Sequence, residues 1–420
     1  MNSFGSNRRF SSAARAESLR VIVIGAGLGG LCLAQGLRRA GIDVAVHERD
    51  STSLARAQGH RLHIDARGRH ALAATLPPHL FELIAAIAGR PAPVVHGFDH
   101  QLRPTGVVSL DDPASEPHPG SAPLPAHTVL DRHVLRQILL DGLDDTVHFD
   151  HHCVGYDSDP TVVTARFSDG STASGSVLVA ADGIGSVIRG RRLPEAQIMD
   201  TQARLIYGRV PLTSGLRRIL PSKMISVFNS VTGPDRRFVG IAPVQYHRPP
   251  AAAAGRLAPR IKFAPISDSL AVMFGARLDL LGLSEAQLCA ASGPQLQELV
   301  RKHITAWHPL LTQLVESWEP ASVHPVTVRS SIPISPWPTS NITFLGDAIH
   351  AMSPAAGAGA NIALRDAAAL TSALTEAAAG LPVHAALHDY EQTMIEDGFR
   401  AVRLSAANGT RTLGADPLPD

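Results

Sequence analysis

Apolar and polar positions follow two different rhythms along the 420 residues. The first begins at Val21-Ile22-Val23-Ile24, an unbroken β-branched run that reads as a strand buried on both faces. A helix is predicted over Leu28–Ala40, stopped by Gly41, and a second strand over Ile42–His47. The order of buried strand, small residues and helix returns later. Val177-Leu178-Val179-Ala180 runs into Ala181-Asp182-Gly183, and the strand starting at Asn341 runs through a small-residue loop into a helix over Ala360–Ala379. Leu62 and Ile64 alternate with polar neighbours, which predicts a short half-exposed strand. A weak helix over Arg67–Leu76 is closed by Pro77-Pro78. Thr128–Leu143 reads as helix, with Asp131 as N-cap and Val134, Leu135, Ile138 and Leu139 on one apolar face.

The second rhythm lacks the strand–helix alternation. Phe81–Ala88 is a short apolar helix, Val94–Leu110 is extended, and Asp111–Pro125 holds five prolines in 15 residues, a surface loop. Val147–Cys153, Val162–Phe167 and Ser176–Ala180 read as strands, with Asp169-Gly170 turning between the last two. Further on, Ala203–Val210, Met224–Asn229, Arg237–Val244 and Leu270–Gly275 predict a mostly antiparallel sheet. Pro249–Pro259 reads as a loop, and Ser284–Ser317 as helical, broken at Trp307-His308-Pro309. Two domains follow. One is discontinuous, from residues 20–78, 126–190 and 326–405; the other combines 79–125 and 191–325. Residues 1–19 form an extension and 406–420 a tail.

Composition narrows the class. A chain this long buries enough surface for two cores. With Lys+Arg at 38 and Asp+Glu at 37 there is no basic excess for a nucleic-acid surface. The lysines number only three, Lys223, Lys262 and Lys302, which fits a GC-rich coding bias. Cys32, Cys153 and Cys289 are odd in number and far apart, giving neither a disulfide framework nor a metal site and fitting a reducing, cytoplasmic setting. The 20 histidines match no metal-ligand spacing. The first 19 residues carry Arg8, Arg9 and Arg15 against Glu17 and lack the apolar core of a secretory signal. They read as a disordered extension, with an organelle transit peptide as the other reading. No run has the roughly 18 apolar residues of a membrane span.

Chemistry concentrates where the buried strands end. Gly25, Gly27 and Gly30 have the G-x-G-x-x-G spacing of a dinucleotide site: a tight turn, a close backbone approach to a diphosphate, and a helix packed close on its strand. The helix N-terminus favours the diphosphate's negative charge. Glu48 stands 18 residues past Gly30, where an acid takes an adenosine ribose, and Arg49 follows it. Arg61 and His63 are candidates to face the cofactor. Arg132 opens a helix against its dipole and so calls for an anionic partner, such as a cofactor phosphate. Asp182, with Gly183 and Arg189, sits where a polar ligand is within reach. Gly346-Asp347 closes the last strand, and the loop through Pro354, Gly357, Gly359, Ala360 and Asn361 lets a flat ring approach backbone N–H groups at a helix N-terminus.

Taken in order, these stretches resemble the FAD-dependent class A flavoprotein monooxygenases, the p-hydroxybenzoate and salicylate hydroxylase group. Gly25–Gly30 with Glu48-Arg49, Ala181-Asp182-Gly183 through Arg189, and Gly346-Asp347-Ala348 with His350, Pro354, Gly357 and Gly359 match the family's three fingerprints. Arg132 matches its R-x-x-L-x-x-x-L helix. The resemblance runs from about Leu19 to Arg403, and the insertions match in no detail. It implies an α/β fold: a Rossmann-like FAD-binding domain with an inserted α+β substrate domain on a mostly antiparallel sheet, plus C-terminal helices. It also implies roles. Glu48 holds the adenosine ribose with Arg49 beside it, Arg132 meets the diphosphate or ribityl chain, and Asp347 takes ribityl hydroxyls. Asp182 supports FAD and a passing nicotinamide, Pro354 flanks the flavin's reactive edge, and Gly357–Asn361 offer N–H groups to its pyrimidine end. The family's Gly-Gln-Gly reads Gly357-Ala358-Gly359 here, which removes a polar side chain. The chain ends at Asp420, before the thioredoxin-like domain that some relatives carry.

The implied activity is NAD(P)H-dependent insertion of one oxygen atom from O2 into a hydrophobic, aromatic or polyketide-like molecule through a C4a-hydroperoxyflavin. Hydroxylation, epoxidation and Baeyer–Villiger insertion stay open, as do NADH against NADPH, the oligomeric state and any substrate-activating base. The alternatives are a flavin-bearing binding protein, a nicotinamide-only dehydrogenase, or another oxidoreductase on this fold, a prenyl-lipid reductase or a halogenase. Trp307, Trp318 and Trp337 do not form the halogenase W-x-W-x-I-P motif.

Overall fold

The computed structural model describes residues 19–52, 61–110 and 124–419. The predicted extension before Leu19 and most of the proline-rich loop lie outside them.

The β-branched run forms the strand Arg20–Ile24 at the centre of a five-stranded parallel sheet, in the order Ile342–Phe344, Val177–Ala180, Arg20–Ile24, Asp43–His47, Val147–His148. Val21, Ile22 and Val23 have no solvent exposure, because the helix Leu28–Arg39 and a separate three-stranded sheet of Cys153–Ser158, Val163–Phe167 and Thr172–Gly175 both pack against the parallel sheet. The helix Leu28–Arg39 buries Leu31, Leu33 and Leu37 completely, roughly 1.5–3 kcal/mol for each such side chain. It lies against the long helix Gly359–Ala378. Thr371 fills the groove at Gly36 so closely that a Cβ there would meet its Oγ1 at 2.5 Å.

The second domain is a seven-stranded sheet, antiparallel except for one pair. That pair is Val94–Asp99 beside Phe228–Thr232, and it joins the two chain segments into one sheet. The helices Glu285–Ala290, Gly293–His303 and Pro309–Glu316 divide the predicted Ser284–Ser317 stretch. The first two start at Ser–Gln capping boxes. Leu288, Leu296, Val300, Leu311 and Leu314 of these helices join the second core cluster with Phe274 and Val272 of the sheet.

The structure differs from the sequence pattern at several places. Thr128–Asp131 is a strand, not the start of a helix, because it pairs antiparallel with Arg61–Ile64; the helix is Arg132–Leu140. Asp169-Gly170 turns between Val163–Phe167 and an additional strand, Thr172–Gly175, while Val177–Ala180 enters the parallel sheet. Val147–Cys153 is not continuous; only Val147–His148 is strand there. Ser222–Ile225 is a 3-10 turn, and the strand starts at Phe228, because the Asn229 carboxamide donates back to the Met224 carbonyl. Pro250–Leu257 is a helix: a proline pre-set for the first turn is followed by four alanines. The strand His324–Ser331 crosses residue 326, and the last helix, Val383–Leu413, runs through residues 406–413.

Candidate active site

Gly25 ends the first strand with φ +109°, and a Cβ there would lie 2.3 Å from the Ala181 carbonyl oxygen. At Gly30 a Cβ would lie 2.1 Å from the Gly25 carbonyl oxygen, so helix and strand touch backbone to backbone. Gly27 has open space instead, on the cavity side. The helix it caps has no side-chain cap and no acid in its first turn, leaving N–H groups for a diphosphate. Glu48 is buried and fixed at the end of the second strand: Ala26 N–H donates to its Oε2 at 2.8 Å and Asp50 N–H to its Oε1 at 3.0 Å. Arg49 is exposed beside it at the rim.

One continuous cavity of about 980 Å³, at the upper end of small-molecule sites, runs from Gly25 and Glu48 past Arg132, Asp182 and Asp347 to Pro354, Gly357, Gly359 and Ala360. The fold thus brings all but one of the sequence-predicted site residues to a single space, and that one, Asn361, stands behind its wall. The Asn361 carboxamide accepts from Asp65 N–H at 3.1 Å and donates to the His63 carbonyl at 2.9 Å, holding a strand to the helix. The Gly357 N–H donates to Pro354 O at 2.9 Å, so the free donors of that loop start further on. Arg61 lines the cavity, but its guanidinium is tied to carbonyls of the second domain, those of Pro243 and Val227.

Electrostatics favour a charged, polar ligand at the cavity's centre. Burial pushes the Asp347 carboxyl up, while His350 and Arg132 act against the shift, so Arg132 and Asp347 sense each other. Burial also raises the Asp182 carboxyl; its Oδ2 accepts from Val187 N–H at 3.0 Å, and its Oδ1 is buried with no hydrogen-bond partner among the described residues. A ligand hydroxyl or amide would satisfy that oxygen.

Several contributing residues carry no sequence motif. Asp366, at 1% exposure in the long helix, accepts from Gly346 N–H at 3.0 Å and lies 2.6 Å from His350 Nε2, fixing the Gly346-Asp347 turn from behind. A charged residue among alanines and leucines was its only signal. His63 Nε2 and His127 Nδ1 are 3.0 Å apart. At the Glu48 end of the cavity, His47, His148 and His151 stack with ring centroids 5.0–5.7 Å apart. Towards the large sheet the lining is mostly apolar, with Leu205, Phe228, Phe238, Ala271 and Met273 joined by Met352 and Leu413, and with Asn408, Arg411 and Thr412 beside Leu413.

The histidine stack predicts acid sensitivity. Burial, then His148, His151 and Arg20, lowers His47 from 6.5 to about 3. Below pH 6.5 the unfolded chain therefore binds a proton that the fold refuses. This stability is complete above 6.5 and is lost as pH falls towards 3, by roughly 1.4 kcal/mol per pH unit per proton. Melting temperatures between pH 7 and 4 should fall less steeply for His47→Gln than for the parent; equal slopes would refute this assignment.

A glycine turn, a buried acid at a strand end and a Gly-Asp loop opening on one elongated cavity fit a dinucleotide-binding fold. Comparison with known proteins makes the class specific. Residues 18–66 and 304–404 match the FAD binding domain family. A crystal structure of an FAD-containing monooxygenase from Photorhabdus luminescens superposes with a TM-score of 0.79 at 30% identity, covering 93% of this chain and 98% of that one. The dual O-methyltransferase/FAD-dependent monooxygenases of Cercospora beticola and Phaeosphaeria nodorum are 31% and 32% identical over 98% and 86% of this chain. This chain spans 48% and 41% of their lengths, about half. The chain belongs to the FAD-dependent monooxygenase family, and its dinucleotide is FAD. Among the described residues no helix is long and apolar enough to cross a membrane.

Proposed function

We propose that the protein uses NAD(P)H and O2 to place one oxygen atom in a hydrophobic, aromatic or polyketide-like small molecule. The observation that carries this reading is the continuity of the cavity, which joins the dinucleotide cradle directly to the apolar face of the large sheet. FAD, when bound, supplies hydride acceptance from the nicotinamide and the activation of O2. The chain's part is to bind, orient and keep water out. Gly25, Gly27 and Gly30 admit the diphosphate, Glu48 and Arg49 hold the adenosine end, and Arg132 and Asp347 hold the ribityl and diphosphate region. Asp182 offers its unpartnered Oδ1 near the passing nicotinamide. Pro354 would lie beside the flavin, and the N–H groups at the start of Gly359–Ala378 would favour negative charge on its ring. Phe228, Phe238, Met273 and Leu413 keep the reacting end dry. A reducing, cytoplasmic setting belongs to the same proposal, since Cys32, Cys153 and Cys289 are free thiols.

A visible spectrum tests it. The FAD-loaded protein should lose its flavin band near about 450 nm on anaerobic addition of NADPH or NADH with a suitable ligand, and regain it in air with oxygen consumption. A yellow protein that neither nucleotide reduces with any aromatic ligand would be a flavin-bearing binding protein instead.

A further inference from the structure

Arg61 has a charge that its surroundings do not balance. The strand Arg61–Ile64 alternates, sending Leu62 and Ile64 into the core, while Arg61 and His63 are half-buried on the cavity. Arg61 Nε donates to Pro243 O at 3.2 Å and Nη2 to Val227 O. Both acceptors are neutral carbonyls, and they fix the guanidinium plane across the two domains. Among the described residues no carboxylate pairs with it. Asp131, its partner in strand register, turns its Oδ1 to the N–H groups of His133 and Val134 at the helix cap and makes no ion pair with Arg61. Two titratable side chains that share the cavity lining with it, His63 and Tyr207, are neutral near pH 7. Burial, then Arg61 and His127, holds His63 at about 3, and burial pushes the Tyr207 phenol up to about 12.

A guanidinium has five N–H donors, and two are used here, so three remain for a ligand. Burying a cation without a counter-ion is costly, and buried charges in proteins are paired. The missing partner is therefore expected to arrive with what fills the cavity. FAD's diphosphate has its own cation in Arg132. Arg61 instead reaches the strand ends that carry Val227 and Phe228, beside Tyr207 and the Phe228–Phe238 stack, whose rings are nearly parallel at 6.2 Å.

We propose that Arg61 is a specificity-determining residue that selects flat aromatic substrates bearing an oxyanion, a carboxylate or a phenolate, on their apolar skeleton. This rests on the oxygenase reading for the identity of the chamber, but its test needs neither reductant nor oxygen. The FAD-loaded protein is titrated with 2-naphthoate and with its neutral isostere 2-naphthamide, following the flavin difference spectrum. The carboxylate should bind at least tenfold tighter. Arg61→Gln should bring the two within twofold, with the larger loss on the carboxylate, and Tyr207→Phe should keep the preference. Because Arg61 also ties the domains, FAD content and melting temperature are measured alongside. If Arg61→Gln does not retain FAD, Arg61→Lys, which keeps the charge without the fork, should keep a reduced preference. Equal binding of the two ligands by the parent protein, no binding of either, or an unchanged preference in Arg61→Gln would overturn the proposal. Loss of reduction by NADPH with the naphthoate preference intact would overturn the oxygenase reading alone.

Discussion

Gly30→Ala is expected to give a protein that retains little FAD and melts well below its parent. The added methyl would lie 2.1 Å from the Gly25 carbonyl oxygen, a backbone atom with no rotamer to escape into. Relief requires the helix Leu28–Arg39 to lift from the strand Arg20–Ile24, and its neighbours resist. The same helix is held by Leu345 at Gly29 and by Thr371 at Gly36, where a Cβ would meet side-chain atoms at 2.6 and 2.5 Å. Overpacking usually costs about 1–3 kcal/mol, and a clash between two backbones belongs at or above the top of that range. Lifting the helix also moves its N-terminal N–H groups away from the diphosphate, so stability and cofactor fall together. Gly27→Ala separates the two effects. A Cβ at Gly27 meets no protein atom within 4 Å, so the apo-protein should melt like its parent. The methyl would nevertheless stand where the backbone approaches the diphosphate, and FAD affinity should drop. Absorbance ratios of flavin to protein, with melting curves of apo and loaded forms, decide between these outcomes. A Gly30→Ala protein with parental flavin content would show that helix and strand do not need this contact.

The parts of the site that could be read in advance share one physical feature: their residue type is required by backbone geometry or by charge at a strand end. Gly25 and Gly30 are required by contacts that no side chain survives, and Glu48 closes a strand whose burial its β-branched neighbours already announce. The Gly346-Asp347 loop is similar, since Gly346 has φ +61° and Gly357 also has φ +61°. The strands of the large sheet were partly legible from apolar alternation, but their partners were not. Nothing in Val94–Asp99 points to parallel pairing with Phe228–Thr232, more than a hundred residues away. Errors came where one local signal outvoted another. Prolines at 249 and 250 suggested a loop, whereas the alanines behind them carry the helix. Residues 406–420 read as a tail, whereas Asn408, Arg411 and Thr412 stand in a 31-residue helix and line the cavity with Leu413. Arg61 reads as a residue that faces the cofactor, and in the fold it lines the cavity while its guanidinium also reaches carbonyls of the second domain. Asp366 was invisible because its meaning lies in His350 and in one backbone N–H.

Asp366→Ala should be the most destabilising single change at the cavity's back wall. His350 and Asp366 are each 1% exposed, and the carboxylate also accepts the Gly346 N–H. Removing it strands a buried imidazole and a buried amide together. Breaking a buried pair from one side costs roughly 3–5 kcal/mol, because the remaining charge has lost its partner. Arg365 is 3.6 Å from Asp366 but also pairs with Asp397 at 2.6 Å, so it does not share that fate. The pH dependence separates the ion pair from simple packing. Burial opposes the imidazolium, but Asp366, by charge and by hydrogen bond, raises His350 above its usual 6.5, helped by Asp347. A raised pKa means that the fold holds its proton where the unfolded chain releases it. The stabilisation is therefore complete below pH 6.5 and is lost as pH rises through the folded value. Asp366→Asn keeps the shape and an acceptor for Gly346 while removing the charge, so its deficit against the parent should be largest at pH 6 and should narrow towards pH 9. Asp366→Ala should keep much of its deficit at every pH, because the cavity and the orphaned Gly346 amide do not titrate. Both variants should also lose FAD affinity, since the turn they loosen presents Asp347. Melting curves from pH 6 to 9 with flavin content at each step measure all of this. A constant gap between Asp366→Asn and the parent would mean that His350 is neutral in the fold, and that the pair acts as a plain hydrogen bond.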